Sequence, residues 1–303
     1  MPEGEHFSFL EKESWLSFRE IERLVRAFVQ IGVDKVRITG GEPLVRPGCA
    51  DLVHRLSLIE GVKDLALTTN GSLLGKYALA LKEAGLKRLT VSLDSLDTAT
   101  FQQMNGVRQN PQEILAAIFQ ARRLGFEDIK VNCVLHKGRN EKDILPLARV
   151  FRNSGVVLRF IEYMDVGTRN QWRREQVVPS QAVLAKIEEE FPLQALSPNY
   201  LGEVASRYAY RDGGGEIGFI SSVTQPFCRD CSRARVSADG HLYTCLFAQE
   251  GMALKPWLKQ DDEALRGFIA GLWKKRRDRY SEERQTAGDF ERDQKVEMFR
   301  IGG

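Results

Sequence analysis

Apolar residues in the first half of the chain follow two alternating patterns. Stretches with apolar residues three and four positions apart, which indicate amphipathic helices, alternate with short β-branched runs, which indicate strands. The predicted helices span residues 17–31, 50–59, 73–84, 111–124 and 142–151, and the strands that follow them span 36–39, 62–70, 86–94, 129–135 and 156–163. The unit recurs every ~25–30 residues, the size of a βα element. We therefore expect an α/β fold with a parallel sheet, either open and doubly wound or curled into a full or partial barrel.

Glycine residues mark the ends of four predicted helices. Gly32, Gly85, Gly125 and Gly155 each stand just beyond the last apolar turn, where a left-handed cap favours glycine. The four helix-to-strand connections therefore resemble one another, as expected of a repeated unit.

The alternation ends after Glu162, and the C-terminal part is organised differently. Its predicted features are a helix at 180–191, a hairpin within 196–222, a cysteine-rich stretch at 226–250, a charged helix at 261–277 and a highly charged tail at 279–297. We expect part of that tail to lack a fixed structure. We divide the chain accordingly into residues 1–179, a partial barrel, and residues 180–303, a C-terminal region.

Composition excludes several classes of protein. The 303 residues are 43% hydrophobic, enough for one large barrel or two ordinary domains, and the net charge of +3 predicts neither a nucleic-acid nor a membrane-surface partner. No run approaches the ~18 apolar residues of a transmembrane helix, and the acidic opening MPEGEHFSFLEKE is unlike a signal peptide. We therefore expect a cytoplasmic protein, in which five cysteines, an odd number, favour metal binding over disulfides.

The most specific motif is PFCRDCSRARVSADGHLYTC, at residues 226–245. Cys228 and Cys231 can reach one metal or cluster from a single tight turn, and the ADG sequence predicts a hairpin that returns Cys245 to the same place. Three thiolates leave one position of a four-iron cluster open for a substrate atom. A structural zinc site completed by His241 is the alternative on spacing alone.

Two arginines follow the cysteine pair. Arg233 and Arg235 stand two apart on a predicted strand and would share one face. Forked cations beside an open metal site suit a polyphosphate or a carboxylate. A surface strand with solvated arginines is the alternative.

A second motif, RITGGEPLVR at residues 37–46, places a glycine pair at the C-terminal end of a predicted strand. Such a pair lets the backbone approach a ligand closely, and this end of parallel strands is where ligands bind. Polar or sulfur-containing side chains occupy the corresponding ends of later strands: Thr68, Thr69, Asn70, Ser92, Asp94, Lys130, Asn132, Glu162 and Met164. We expect them to form one binding layer.

Taken in order, RITGGEPLVR, LTTNGSLL, VSLDSLD, KVNCV, RFIEYMDVGTRN, the cysteine motif and the closing GG resemble the radical S-adenosylmethionine (SAM) enzymes. More narrowly, they resemble the GTP 3′,8-cyclase family of molybdenum cofactor biosynthesis, over essentially the whole chain. The resemblance implies an incomplete (βα)6 TIM-like barrel closed by a C-terminal iron–sulfur cluster domain, and it favours iron–sulfur over zinc. It implies cyclisation of GTP to (8S)-3′,8-cyclo-7,8-dihydroguanosine 5′-triphosphate, the first step of molybdopterin synthesis.

The resemblance also assigns site residues. It implies that SAM contacts Gly41, Ser92 and Met164. It implies that GTP contacts Arg37, Thr68, Lys130, Arg233, Ala234 and Arg235. It makes Cys228, Cys231 and Cys245 the ligands of a second [4Fe–4S] cluster, and it brings the tail residues Gly302 and Gly303 into the active site.

One departure from the family is large. Its members hold a first [4Fe–4S] cluster, which cleaves SAM, on a CxxxCxxC motif in the first barrel strand and the next loop, and no such motif occurs here. The opening residues match the family residues directly after the third of those cysteines, so we expect that the first strand is missing and that the first cluster occurs only in a full-length form. A start site assigned too far downstream is the preferred explanation, and a truncated gene product is the other. No residue for radical generation is therefore identified, and we expect the 303-residue chain to be inactive.

Alternatives and partners complete the expectations. A zinc-stabilised barrel and a non-catalytic GTP-binding protein are the competing functions. The resemblance implies a flavodoxin or ferredoxin as electron donor and cyclic pyranopterin monophosphate synthase as the downstream enzyme. It allows a homodimer.

Overall fold

The computed structural model describes residues 10–106, 108–167, 171–228, 231–283 and 296–302. The predicted alternation is present in full. Its strands are β1 Lys35–Ile38, β2 Asp64–Thr69, β3 Arg88–Ser92, β4 Asp128–Leu135 and β5 Val156–Glu162. The helices of this half are α1 Phe18–Gln30, α2 Cys49–Ser57, α3 Leu74–Glu83, α4 Thr98–Asn105, α5 Pro111–Arg123 and α6 Ile144–Phe151.

Local sequence signals account for most of these bounds. Ser17 and Glu20 form a reciprocal capping box at the start of α1, and the four predicted cap glycines all have positive φ. Helix α4 was not predicted. Only Thr100 and Phe101 are buried on it, so its apolar periodicity is weak, and the carboxylate of Asp97 starts it by accepting the amide of Thr100.

The C-terminal half adds α7 Ser180–Glu188, β6 Leu193–Leu196, β7 Ser206–Tyr210, β8 Glu216–Ile220, β9 Arg235–Val236, β10 His241–Tyr243, β11 Met252–Ala253, α8 Asp262–Lys274, α9 Tyr280–Glu283 and α10 Met298–Ile301. The main sheet has the order β1-β2-β3-β4-β5-β8-β7-β6, parallel from β1 to β8 and antiparallel beyond. The predicted hairpin is therefore β7–β8, and it extends the main sheet instead of standing apart. The sheet thus runs across residues 179 and 180, and the division between them stays a prediction.

The sheet curls towards closure. The ammonium of Lys35 in β1 lies 3.3 Å from the ring centre of Tyr200, in the connection between β6 and β7. The two edges of the eight-stranded sheet therefore approach each other, as in an incomplete barrel whose helices lie outside. No helix in the described ranges has the length and apolar character that crossing a membrane requires.

The two largest hydrophobic clusters among the described residues hold the molecule together. The larger lies between the sheet and helices α2 to α7, and a smaller one joins α1 to the C-terminal half through Leu24, Leu265 and Ile269. At its margin, Arg23 donates to the carboxylate of Asp262 at 2.7 Å and to two backbone carbonyls after β11. The small sheet β9–β10–β11 is anchored to the barrel by this contact between α1 and α8.

Replacing Leu265 by alanine tests that anchorage. Its side chain is fully buried, so Leu265→Ala is expected to lower the free energy of unfolding by about 2–5 kcal/mol. Urea unfolding followed by circular dichroism measures the change. Leu201→Ala is the control, because Leu201 is 87% exposed. Equal stability of the two variants would show that the smaller core contributes little.

Candidate active site

The inner side of the parallel strands is lined by polar and charged residues. In β4, Asp128, Lys130 and Asn132 alternate with fully buried apolar residues that face the helices. One guanidinium nitrogen of Arg37 in β1 donates to the hydroxyls of Thr68 at 2.8 Å and Thr90 at 3.0 Å. Two predicted substrate-binding residues, Arg37 and Thr68, are therefore in direct contact inside the barrel.

Two further cations share this space and were missed by the sequence analysis. Arg159 donates to the side-chain oxygen of Asn132 at 2.9 Å, and Arg88 pairs with Asp64 through two nitrogens. Burial, followed by repulsion from Arg37 and Arg88, lowers the pKa of Arg159 to about 10. The sequence did hold a sign of this role for Arg159. It stands two positions from Ile161 in β5, so both side chains point to the same face of the sheet.

The charges in the lumen do not balance. Asp128 lies 3.4 Å from the ammonium of Lys130 and 3.6 Å from Arg88, while Asp64 pairs with Arg88. Together with Arg37 and Arg159, these make four cations and two carboxylates, so this group carries a net positive charge. Such a cavity favours a polyanion.

The glycine pair of the second motif lies at the C-terminal end of β1. A Cβ at Gly40 or Gly41 would meet no atom within 4 Å, so this backbone borders open space. The half-buried carboxylate of Glu42 accepts the amides of Leu44 at 3.0 Å and Asn70 at 2.7 Å and also accepts the hydroxyl of Thr69. The loop after β1 is thereby tied to the end of β2.

The other predicted SAM contacts lie at the same edge of the sheet. Ser92 ends β3 and stands opposite Asn132 of β4. Met164 follows β5, is half-buried and packs against two small hydrophobic clusters, one with Ile220 and one with Trp172. The parallel arrangement of β1, β3 and β5 places all three predicted residues at the C-terminal ends of strands.

Glu162 connects this edge to the cysteine region. The carboxylate is 1% exposed and accepts the amides of Ser180 at 3.0 Å, Val223 at 2.9 Å and Thr224 at 2.8 Å, and the Thr224 hydroxyl at 2.5 Å. It therefore joins β5, the start of α7 and the segment that leads to Cys228. Its position at a strand end gave no sign of this role.

The predicted hairpin after the cysteine pair is confirmed. Strands β9 and β10 pair antiparallel with Tyr243 opposite Arg235, which returns Cys245 towards the residues just before β9. Arg233 lies outside the strand, contrary to the expectation that both arginines occupy one strand face. Ala234 is exposed between them.

Two of the three thiols lie within the field of the two arginines. Arg233 donates to the Cys231 sulfur at 3.0 and 3.3 Å. Although burial opposes ionisation, the charge of Arg233 and a bond from Arg276 lower the pKa of Cys231 to about 7. Burial raises the pKa of Cys245, with Cys228 adding to the rise and Arg235 opposing it.

The surroundings of the three thiols bear on which metal group they could hold. All five cysteines are free thiols, and within the described ranges no three His, Cys, Asp or Glu residues are placed to hold a single metal ion. The Nδ1 atom of His241 lies 3.2 Å from Asp239. A cluster spreads its thiolates over separate irons, and neighbouring arginines would offset the added negative charge.

The C-terminal tail reaches the same place. Arg235 donates to the carbonyl of Gly302 at 3.2 Å, and a Cβ at Gly302 would overlap the methyl group of Thr39. Gly302 has φ +71°, so a side chain is disfavoured there on two grounds. It lies between the cysteine region and the loop after β1. Gly303 is outside the described residues.

Comparison with known proteins gives the family. Residues 4–151 match the radical SAM superfamily, and residues 156–282 match the family described as Molybdenum Cofactor Synthesis C. The chain is 53% identical over 294 residues to GTP 3′,8-cyclase of Xanthomonas campestris pv. campestris strain B100, covering 97% of this chain and 86% of that protein. The enzymes of Aquifex aeolicus and Acidothermus cellulolyticus are 46% identical over 303 residues (100% and 91% covered) and 45% identical over 325 residues (99% and 90%).

The chain belongs to the GTP 3′,8-cyclase family of radical SAM enzymes. Membership confirms the fold expected from the sequence, an α/β radical SAM barrel, and the reaction class. A radical SAM domain implies SAM and iron–sulfur clusters as cofactors. The positive lumen lies largely within residues 4–151, the part that matches the radical SAM superfamily. The three thiols lie within residues 156–282, the part that matches Molybdenum Cofactor Synthesis C.

Removing the Glu162 carboxylate tests whether it holds β5, the start of α7 and the segment before Cys228 together. Glu162→Ala is expected to lower the free energy of unfolding by at least about 3 kcal/mol, because unsatisfied buried donors cost about 1–3 kcal/mol each. Hydrogen exchange should accelerate at the amides of Val223 and Thr224. Glu190→Ala, which breaks an exposed pair with Arg149, serves as control. Unchanged exchange at those two amides would contradict the role.

Proposed function

We propose that this chain binds GTP with its triphosphate in the positive lumen and its guanine towards the three thiols. The main support for GTP binding is the charge of the lumen. Among the described residues, Arg37, Lys130 and Arg159 have too few acidic partners to neutralise them. GTP combines a polyanion with a planar purine, and the site offers cations at one end and a thiol cluster at the other. The hydroxyl of Thr68 holds Arg37 in place for the phosphates.

We infer that Arg233, Ala234 and Arg235 lie against the substrate at the other end. The exposed position of Ala234 leaves room for a ring, and Arg233 and Arg235 provide charge on either side. Gly302 would border the same space through its bond to Arg235. Cys228, Cys231 and Cys245 would hold a second [4Fe–4S] cluster, which when bound offers one open iron position to the guanine.

For a form that also carries the family's first cluster, the reaction we propose is cyclisation of GTP to (8S)-3′,8-cyclo-7,8-dihydroguanosine 5′-triphosphate, the first step of molybdopterin synthesis. SAM, when bound with its cleaving cluster, supplies the carbon radical that starts it. Gly41, Ser92 and Met164 would contact SAM from the ends of β1, β3 and β5. The protein's part is to hold the ribose close to SAM and to exclude water, since a carbon radical attacks unprotected C–H bonds.

We propose that the 303 residues bind GTP without cleaving SAM. Their five cysteines include no CxxxCxxC set, which the family uses for the first [4Fe–4S] cluster. A non-catalytic GTP-binding protein is the second candidate function, and the same observation favours it. Incubation with SAM under anaerobic reducing conditions should yield no methionine, and turnover would overturn the proposal.

The wider setting is part of the proposal. Five free thiols suit the reducing cytoplasm. A flavodoxin or ferredoxin would donate electrons, cyclic pyranopterin monophosphate synthase would take the product, and two copies could form a homodimer. None of these partners involves nucleic acid or membrane.

Substitution in the lumen tests GTP binding. Lys130→Ala and Arg159→Ala should each weaken GTP binding about tenfold, because each loses a charge-assisted contact of about 1.5–3 kcal/mol. Guanosine, which lacks phosphates, should bind all forms alike in calorimetry. Lys76→Ala, on the outside in α3, is the matched control. Wild-type affinity in both lumen variants would place the triphosphate elsewhere.

Iron and sulfide analysis tests the cluster. After anaerobic reconstitution, replacing Cys228, Cys231 or Cys245 by serine should remove most of the bound iron. Cys49→Ala is the control and should keep the iron, because Cys49 lies at the start of α2, distant in sequence from the cysteine motif. His241→Ala should not change the metal content. Bound zinc that depends on His241, with neither iron nor sulfide, would support the structural zinc site instead.

A further inference from the structure

Residues 276–280, which follow α8 and end on the first residue of α9, contact both sides of the proposed GTP site. At one end, Arg276 donates to the backbone carbonyl of Cys231 at 2.5 Å and pairs with Asp278 at 3.1 Å. The guanidinium also lies 4.7 Å from the Trp273 ring, so it is held from three directions. This end of the segment supports the turn that carries the cysteine pair.

The other end of the segment supports the third cysteine. The ring of Tyr280 stacks on Phe247, with centroids 4.6 Å apart and planes 25° apart. The amide of Phe247 in turn lies 3.5 Å from the Cys245 sulfur. Tyr280 therefore fixes the loop that follows the returning strand of the hairpin.

The same tyrosine reaches across to the barrel. Its hydroxyl donates to a carboxylate oxygen of Asp165 at 2.5 Å, and Asp165 is 3% exposed. Asp165 directly follows Met164 in the loop after β5. One side chain thus touches the cysteine region with its ring and the barrel with its hydroxyl.

We propose that Tyr280 and Asp165 are positioning residues that set the span between the lumen and the three thiols. This inference rests on the proposed GTP site. GTP bridges both places, so its affinity includes a gain from joining two weak contacts at a fixed separation. Inorganic tripolyphosphate would occupy only the lumen, and guanosine would occupy only the thiol end. The affinity of neither probe should therefore depend on the distance between the two places.

The Tyr280→Phe variant removes the hydroxyl and keeps the stack on Phe247. We expect GTP to bind about tenfold more weakly, because a less fixed separation loses part of the gain from joining the two contacts. Tripolyphosphate and guanosine should bind within about twofold of wild type. Calorimetry with the three probes measures the split. Tyr77→Phe, on α3, is the matched control.

Asp165→Asn provides the second arm. If the two residues act through their shared bond, the double variant should bind GTP no more weakly than either single variant. Amide exchange at residues 247 and 248 should accelerate in all three, while iron content after reconstitution stays unchanged.

The outcomes separate the two proposals. A wild-type protein that binds neither GTP nor tripolyphosphate overturns the proposed function. Wild-type GTP binding that persists at full strength in Tyr280→Phe and Asp165→Asn overturns the positioning role alone. An equal loss for all three probes would show a general structural effect and would equally reject the role.

Discussion

Repulsion between closely spaced cations in the lumen is the constraint on which the site depends. Arg37 and Arg159 are held by neutral partners in the described part of the chain, Arg37 by two threonine hydroxyls and Arg159 by the Asn132 amide. Asp64 and Asp128 are committed to Arg88 and Lys130 lower in the barrel. Holding like charges close together without full compensation costs free energy that a bound anion would return. Recognition of phosphate therefore follows from how the lumen is built.

Two carboxylates, one buried and one half-buried, hold the loops at the mouth of the barrel in place. Glu42 and Glu162 accept several backbone amides and bind no described cation. Each joins segments that are distant in sequence, β1 with β2 and β5 with the approach to Cys228. Fixing the loops before a ligand arrives lowers the ordering cost of binding. The cations thus supply attraction, and the carboxylates supply a fixed geometry.

Much of the fold could be predicted because its signals are local. The first five strands, their helices, the cap glycines and the hairpin between β9 and β10 all follow from periodicity and turn residues within a few positions. The pairing of β8 with β5 could not, because strand neighbours across a sheet leave no local trace. Tyr280 lies in the 279–297 tail that was expected to be partly without fixed structure, yet its ring is stacked and its hydroxyl bonded, since composition does not record a distant partner.

The candidate site also combines features that the sequence predicts with contacts that only the fold decides. The sequence by itself determined which chemistry is present: three thiols at cluster spacing, a glycine pair after a strand, and basic residues at strand ends. Only the tertiary structure decided which of these meet. It brought Arg37 to Thr68, added Arg159 and Glu162, and carried Gly302 to Arg235. The physical reason is that side-chain chemistry is a property of a residue, whereas charge repulsion and hydrogen bonding depend on distances that only the folded chain fixes.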